Sequence, residues 1–234
     1  MSDKFQEILQ QFMPKTEEKT YGALYQYCTS GQMNEDKAAR AFEVFVAWFD
    51  AQEEPLAQSY GLLILGGLID SGQLKVRAQI LAFFVERAGL VSDYSVLDDD
   101  NRFLHFLSHF AYLAGSCVEH LNDKIDGLNG VVSALVDLYL RAPTALWCGE
   151  EMLVANLSEA AFAALLVRLN PEVVMQDADN WDDAAMMRWQ DAVVHENHKR
   201  QLVMALHGMN VKLARKPAEM FAPIIGAHYA GKFG

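Results

Sequence analysis

The sequence contains no apolar run long enough to cross a membrane, which takes roughly 18 residues in a helix. Its longest apolar stretch covers residues 60–69 and is followed by Asp70. The opening residues MSDKFQEILQQF carry acids and an amphipathic pattern, whereas a secretory signal peptide has a basic segment followed by an apolar one. We therefore expect a cytoplasmic protein with no membrane span.

Cysteine is scarce, and the three cysteines, Cys28, Cys117 and Cys148, are far apart in the sequence. Their odd number and the absence of a CxxC pair argue against a disulfide framework and against a zinc knuckle. Each lies in an apolar helical pattern, where a free cysteine usually behaves as a small buried hydrophobe. We expect three thiols with a packing role.

Sequence signatures of catalysis are missing as well. No phosphate-binding glycine loop and no GxSxG turn occurs, since Gly61, Gly66 and Gly67 fit neither pattern. Acids such as Asp182 and Asp183 are adjacent in the sequence, and adjacent residues point about 100° apart on a helix, so they form no ready acid–base pair. The sequence indicates no cofactor and favours a protein that is not an enzyme.

Basic residues are few, with 19 Lys and Arg against 31 Asp and Glu and a net charge of −12. This balance argues against binding of nucleic acid, because neutralising phosphates requires Lys and Arg. Residues 199–234 hold six basic residues and one acid, so the acidic excess lies in the first 198 residues. An acidic body favours a basic protein partner through electrostatic steering. The alternative is that the acids only keep the protein soluble.

Strand patterns are missing, because apolar and polar residues do not alternate over five or more positions. Helical periodicity fills the segments between turn signals. The connections between these helical segments are about two to six residues long. We predict an all-α fold in which a single domain of antiparallel helix pairs spans residues 1–234. It is either an α-solenoid-like superhelix of the HEAT or TPR kind or an irregular helical bundle, since no repeated residue signature separates the two. Segment 176–183 is the only candidate domain boundary, and the tail 230–234 is expected to be disordered.

The stretch around which we expect the chain to pack covers residues 98–121 (DDDNRFLHFLSHFAYLAGSCVEHL). Its opening acids suit the positive end of a helix dipole, and apolar residues follow on almost every side. A helix that is apolar all round is a buried helix, so Phe106 and Phe110 are expected in the core. His105 and His109 are four positions apart and would share one helix face.

Histidines raise the possibility of a metal site. His105 and His109 have the spacing of helical metal ligands, although Phe106 stands where the zincin pattern has glutamate. His195, four residues after Asp191, lies on a second predicted helix that packing would have to bring alongside. The alternative function is therefore a helical metalloenzyme that uses His105 and His109 with His195. The competing interpretation is that the first two are core histidines hydrogen-bonded to their neighbours.

The segment 176–183 (QDADNWDD) is the most polar part of the chain and the densest in acids. We expect a partner to bind there, because acids steer a basic surface and a large aromatic ring supplies affinity. The residues concerned are Asp177, Asp179, Trp181, Asp182 and Asp183.

A long helix is predicted to follow over residues 181–206 and to end at Gly208. It carries Trp189 close to Met186 and Met187, and exposed Trp and Met beside acids are typical of a protein-binding face. The alternative is that the tryptophan rings pack inward.

These patterns favour a cytoplasmic, acidic, helical interaction module that binds a protein partner with a basic surface. An adaptor, or an immunity or antitoxin-type protein that covers a basic toxin, has these properties. A module that binds an apolar segment of another protein is a third hypothesis. The sequence predicts no oligomeric state.

Overall fold

The computed structural model describes residues 4–11, 17–74, 78–95, 97, 99–100, 104–120, 125–172 and 182–230. Helical periodicity and turn signals divide this part of the chain into eleven α-helices. The helices are α1 (Lys4–Gln10), α2 (Glu17–Thr29), α3 (Glu35–Asp50), α4 (Pro55–Asp70), α5 (Ala78–Leu90), α6 (Phe106–Glu119), α7 (Ile125–Arg141), α8 (Glu150–Asn156), α9 (Glu159–Arg168), α10 (Asp183–Leu213) and α11 (Ala222–Ala230). Short 3-10 turns occur at Thr144–Leu146 and Ala218–Met220. No β-strand occurs within the described residues, and the predicted all-α class is confirmed.

Side-chain caps begin three of these helices. Asn34, Ser158 and Asp182 each accept a hydrogen bond from the backbone N–H three residues ahead, at 2.7–3.3 Å. Such a cap satisfies one of the N–H groups that a helix start leaves without a partner. Pro55 occupies the first position of α4, where its fixed φ suits a helix and its missing N–H is no loss.

The helices stack in two layers, because each helix from α1 to α8 packs against the next but one along the chain. One layer contains α2, α4, α6, α8 and α10, and the other contains α1, α3, α5, α7 and α9. Within a layer neighbours run parallel: Ser59 bonds to His109 near the starts of α4 and α6, and Asp70 bonds to Tyr112 further along both helices. The chain is thus a solenoid-like stack of helix pairs.

Glycines allow the helices around α4 to approach closely. Gly61 in the first half of α4 meets Phe49 near the end of α3, so these consecutive helices run antiparallel. A Cβ at Gly61 would lie 2.7 Å from Cδ2 of Phe49, and one at Gly66 would overlap the ring of Tyr112 in α6. The cost of glycine inside a helix, about 1 kcal/mol relative to Ala, is therefore offset by packing on two sides of α4.

The core is centred on α4 and α6. Eleven of the 16 residues of α4 and nine of the 14 residues of α6 are buried. Phe110 in α6 is 1% exposed and packs edge-on against Phe84 of α5, with ring centroids 5.6 Å apart. Burial of each large apolar side chain contributes roughly 1.5–3 kcal/mol, so these two helices hold the stack together.

The start of the central helix differs from the prediction. Helix α6 begins at Phe106, eight residues after Asp98, because His105 adopts a left-handed conformation with φ 51° and ψ 31°. Leu104 is fully buried although it precedes the helix, so an apolar connecting residue imitated a helical pattern. The prediction that Phe106 is a core residue is also wrong, since its side chain is only half-buried.

The end of the long late helix differs too. Helix α10 continues through Gly208 to Leu213, because one glycine inside a helix costs only about 1 kcal/mol. Ala214 ends it in a left-handed conformation with φ 50°. The buried side chain of Asn210 then fixes the turn that follows, since it donates to the carbonyl of Lys216 at 2.9 Å and accepts from its N–H at 2.8 Å.

Three remaining predictions concern the whole chain. No helix in the described part of the chain is long and apolar enough to cross a membrane. Within the candidate boundary at 176–183, residues 176–181 lie outside the described residues. The single domain therefore stays a prediction. Of the tail 230–234, Ala230 is the last residue of α11 and the others lie outside the described residues.

Candidate functional site

The first half of α10 is the longest helical segment that carries no buried residue. The helix is 31 residues long, about 46 Å at 1.5 Å per residue. Its buried residues begin at Lys199, so residues 183–198 include none. Arg188 and His195 precede the buried Leu202 at seven-residue spacing and lie on the same side of the helix, yet both are exposed. Other positions on the core-facing side are half-buried, so this half of the helix is partly covered there and exposed elsewhere.

Apolar and acidic side chains share this open segment. Met187 is 63% exposed and Val194 is 52% exposed, and the two are seven residues apart on one side of the helix. Met186 is exposed as well. Exposed acids surround them, and we call the whole set the α10 face: Asp182, Asp183, Met186, Met187, Asp191 and Val194. Its charge is negative and its centre is apolar.

The structure places only part of the predicted partner site. Asp182 is the N-cap of α10 and accepts from the N–H of Ala185 at 2.7 Å, and Asp183 is the first helical residue. Both are exposed, while Trp189 two turns later is half-buried and lies on the opposite side of the helix from Met187. Asp177, Asp179 and Trp181 lie outside the described residues. The sequence analysis did not identify Val194, although its seven-residue spacing from Met187 is visible in the sequence.

A buried lysine fixes the base of this segment. Lys199 is 3% exposed and its Nζ lies 2.8 Å from Glu196 of the same helix and 3.0 Å from Glu172 of the segment after α9. Burial alone would lower the pKa of Lys199, but the hydrogen bonds and charges of the two carboxylates raise it above its ordinary value. Glu196 also accepts from the N–H of Glu172 at 3.0 Å. These bonds anchor α10 where its open half begins.

His109 is a buried histidine held by its neighbour. It is 8% exposed, and its Nδ1 lies 2.9 Å from both the carbonyl oxygen and the hydroxyl of Ser59. A carbonyl oxygen only accepts, so Nδ1 carries the proton. Burial, with a smaller contribution from the nearby His105, lowers the pKa of His109 to about 4, although the Ser59 hydrogen bond acts in the opposite direction. The ring is neutral at pH 7.

The predicted metal ligands do not assemble. The rings of His105 and His109 are 5.9 Å apart, but His105 precedes the helix instead of sharing its face. His195 lies exposed on α10. No group of three or more His, Cys, Asp or Glu side chains in the described part of the chain could hold a metal ion. The competing interpretation, a core histidine bonded to its neighbour, is confirmed for His109.

A polar cluster that sequence reasoning missed joins α2, α4 and α6. The hydroxyl of Tyr112 donates to Asp70 and is also hydrogen-bonded to Tyr21, while Nε2 of His120 lies 3.9 Å from Asp70. Burial and the Asp70 carboxylate together raise the pKa of Tyr112 far above its usual range. Asp70 and Tyr112 are 42 residues apart in the sequence, so no local spacing indicated their bond. Its hydrogen bonds run between helices, which gives it a role in fixing their register.

Comparison with known proteins adds no relative. The chain matches no protein-family model, no curated protein and no solved structure.

Proposed function

We propose that this protein is an acidic, helical interaction module whose α10 face binds a protein partner with a basic surface and an apolar pocket. One observation carries the proposal: a helix half of sixteen residues without a buried side chain exposes Met187 and Val194 among acids. An apolar patch bordered by polar residues is a common mark of a protein-interaction site.

The apolar residues supply the affinity in this account. Burying a side chain such as Met187 or Val194 contributes roughly 1.5–3 kcal/mol relative to leaving it in water. Methionine also adapts to pockets of irregular shape, because it is unbranched and flexible.

The acids supply the orientation and the rate of encounter. Asp182, Asp183 and Asp191 are exposed on one stretch of helix in which Arg188 is the only Lys or Arg before Lys199. Exposed charges of one sign speed the approach of an oppositely charged surface and repel a like-charged one. The preferred partner is therefore a protein with a basic surface, and the net charge of −12 disfavours nucleic acid.

A fixed base makes the helix a rigid ligand. Lys199 holds Glu196 and Glu172 at the point where the core contacts of α10 begin. A helix that is already formed loses less conformational entropy on binding than a segment that folds on its partner. Adaptors and immunity or antitoxin-type proteins are the classes that fit this description.

We place this interaction in the cytoplasm. Cys28, Cys117 and Cys148 are all free thiols, and burial raises the pKa of each of them. Unpaired thiols persist in a reducing compartment, whereas secreted proteins usually pair theirs.

The proposal is tested by mapping contacts in cells. A photo-crosslinking amino acid replaces Met187 or Val194 in the full chain, and control positions are Val167 on α9 and Val211 at the far end of α10, which are 66% and 70% exposed. We expect one protein with a net positive charge to be captured from Met187 and Val194 but not from the controls. Equal capture from all four positions, or capture of an acidic protein, contradicts the proposal.

A further inference from the structure

A cleft of about 340 Å³ opens where four helices meet, away from α10. Its walls come from the end of α3, the first turns of α4, the last turn of α5 with the connection that follows, and the first turns of α6. The residues that matter here are Phe49, Gln58, Arg87, Leu90, Phe106 and Phe110. The volume lies at the lower end of the range for small-molecule sites, about 300–1,000 Å³, and suits a ligand with one ring.

Apolar and polar residues both line the cleft. Phe49 and Phe110 are buried core residues that show part of their rings to the cleft, and Phe106 is half-buried there. Leu90 at the edge is 63% exposed. Small-molecule sites combine such apolar walls with a few polar groups that fix the orientation of the ligand.

Arg87 is the cation of the cleft. Its guanidinium lies over the rings of Phe49 and Phe83, at 5.8 Å and 5.4 Å from their centroids. Its Nη2 donates to Oδ1 of Asp50 at 2.6 Å, and its Nε is buried without a hydrogen-bond partner in the described part of the chain. Nε and Nη2 belong to one guanidinium and suit the two oxygens of a single carboxylate, but Asp50 uses only one of them.

The contact with Asp50 shows that Arg87 binds a carboxylate. The Asp50 side chain is 46% exposed and contacts Arg87 through one oxygen, so a ligand carboxylate can compete with it for Nη2. The Arg87 side chain is 25% exposed, so a ligand carboxylate in the cleft can replace Asp50 at Nη2, whereas the buried Nε is not accessible from the cleft. The adjoining rings of Phe49 and Phe83, whose centroids are 5.2 Å apart, contact the guanidinium and help to hold it in place.

We propose that this cleft binds a small carboxylate with an aromatic or branched apolar body, with Arg87 holding the carboxylate and the phenylalanine rings contacting the body. Asp93, exposed at the rim, disfavours a second negative charge on the ligand and accepts an ammonium group. The cleft contains no residue of α10, so it is independent of the proposed partner site.

The binding test uses two probes that differ in one group. Titrations followed by nuclear magnetic resonance compare 3-phenylpropanoate with 3-phenylpropan-1-ol, which keeps the ring and lacks the charge. We expect the acid to bind about tenfold or more tightly than the alcohol, because only the acid makes charge-assisted bonds to Arg87. L-Phenylalanine as a third probe tests whether Asp93 accepts the ammonium group.

Variants assign the effect to the cleft. Arg87→Gln should abolish the difference between acid and alcohol, whereas Arg40→Gln, an exposed arginine on α3, should leave it unchanged. Leu90→Trp narrows the cleft at an exposed position and should weaken both probes several-fold, even if Arg87→Gln fails to fold. Equal binding of acid and alcohol, an unchanged preference in Arg87→Gln, or no binding of either probe at about 10 mM overturns the proposal.

Discussion

The imidazole of His109 in α6 donates from Nδ1 to the carbonyl oxygen of Ser59 in α4, 2.9 Å away, at the interface of two parallel helices. Ser59 is fully buried, and its hydroxyl lies within 2.9 Å of the same nitrogen. A backbone carbonyl inside a helix has a second lone pair, which this bond uses. The contact therefore links the two central helices through a group whose charge state matters.

Acid should weaken the fold through this histidine. The pKa of His109 is about 4 in the folded protein and about 6.5 when unfolded, so between these values the unfolded chain binds more protons. The free energy of unfolding should fall by about 1 kcal/mol per pH unit from pH 6.5 down to pH 4 through this group, and stop falling below it. Urea denaturation at a series of pH values measures this.

The matched variant is His109→Asn, which keeps a donor near the Nδ1 position and does not titrate. Its stability should depend less steeply on pH than that of the wild type between pH 4 and 6.5. His228, whose pKa burial also lowers, is present in both proteins and cancels in the comparison. Parallel curves for the two proteins would mean that His109 is not held neutral in the core.

Glycine at position 66 should be needed for the contact between α4 and α6. Gly66→Ala puts a Cβ into the ring of Tyr112, which also bonds to Asp70, so we expect a loss of about 1–3 kcal/mol. Gly22→Ala is the control, because nothing lies within 4 Å of a Cβ there, and it should stabilise α2 by about 0.5–1 kcal/mol. Opposite signs in thermal unfolding are the expected result, and a gain at Gly66 would contradict the close packing.

Lys199 should be worth more to stability than its charge alone. Lys199→Ala leaves the carboxylate of Glu196, 16% exposed, without its cation, so we expect a loss of about 3 kcal/mol in urea denaturation. Lys212→Ala, an exposed lysine on the same helix, should change the free energy of unfolding by less than about 0.5 kcal/mol. Similar effects of the two changes would show that the buried pair does not anchor α10.

Local signals in the sequence predicted much of the helical framework. Asn34 and Ser158 cap α3 and α9, and a short polar side chain just before an apolar helical pattern is a signal that the sequence itself contains. The all-α class followed from periodicity in the same way. These features depend on residues three or four positions apart, which a sequence shows directly.

Features set by distant contacts could not be predicted. The left-handed conformation of His105, which delays the start of α6, depends on how the buried Leu104 packs. Helix α10 does not end at Gly208, and the bonds of Asn210 to Lys216 form only at its actual end. The bond between Arg87 and Asp50 joins residues 37 positions apart, and only folding places them at one cleft. The sequence indicated only part of the exposed first half of α10, because the exposure of a helix depends on which other elements pack against it.

The most direct test of the α10 face is the rate at which its partner associates. With the protein captured by crosslinking, surface plasmon resonance compares the wild type with Asp182→Asn/Asp183→Asn and with Glu53→Gln/Glu54→Gln, an exposed pair at the start of α4 that loses the same charge. We predict that the α10 variant associates several-fold more slowly at low ionic strength and that the difference shrinks at high salt, with the control unchanged. An unchanged association rate in the α10 variant, or an equal loss in the control, would contradict the account.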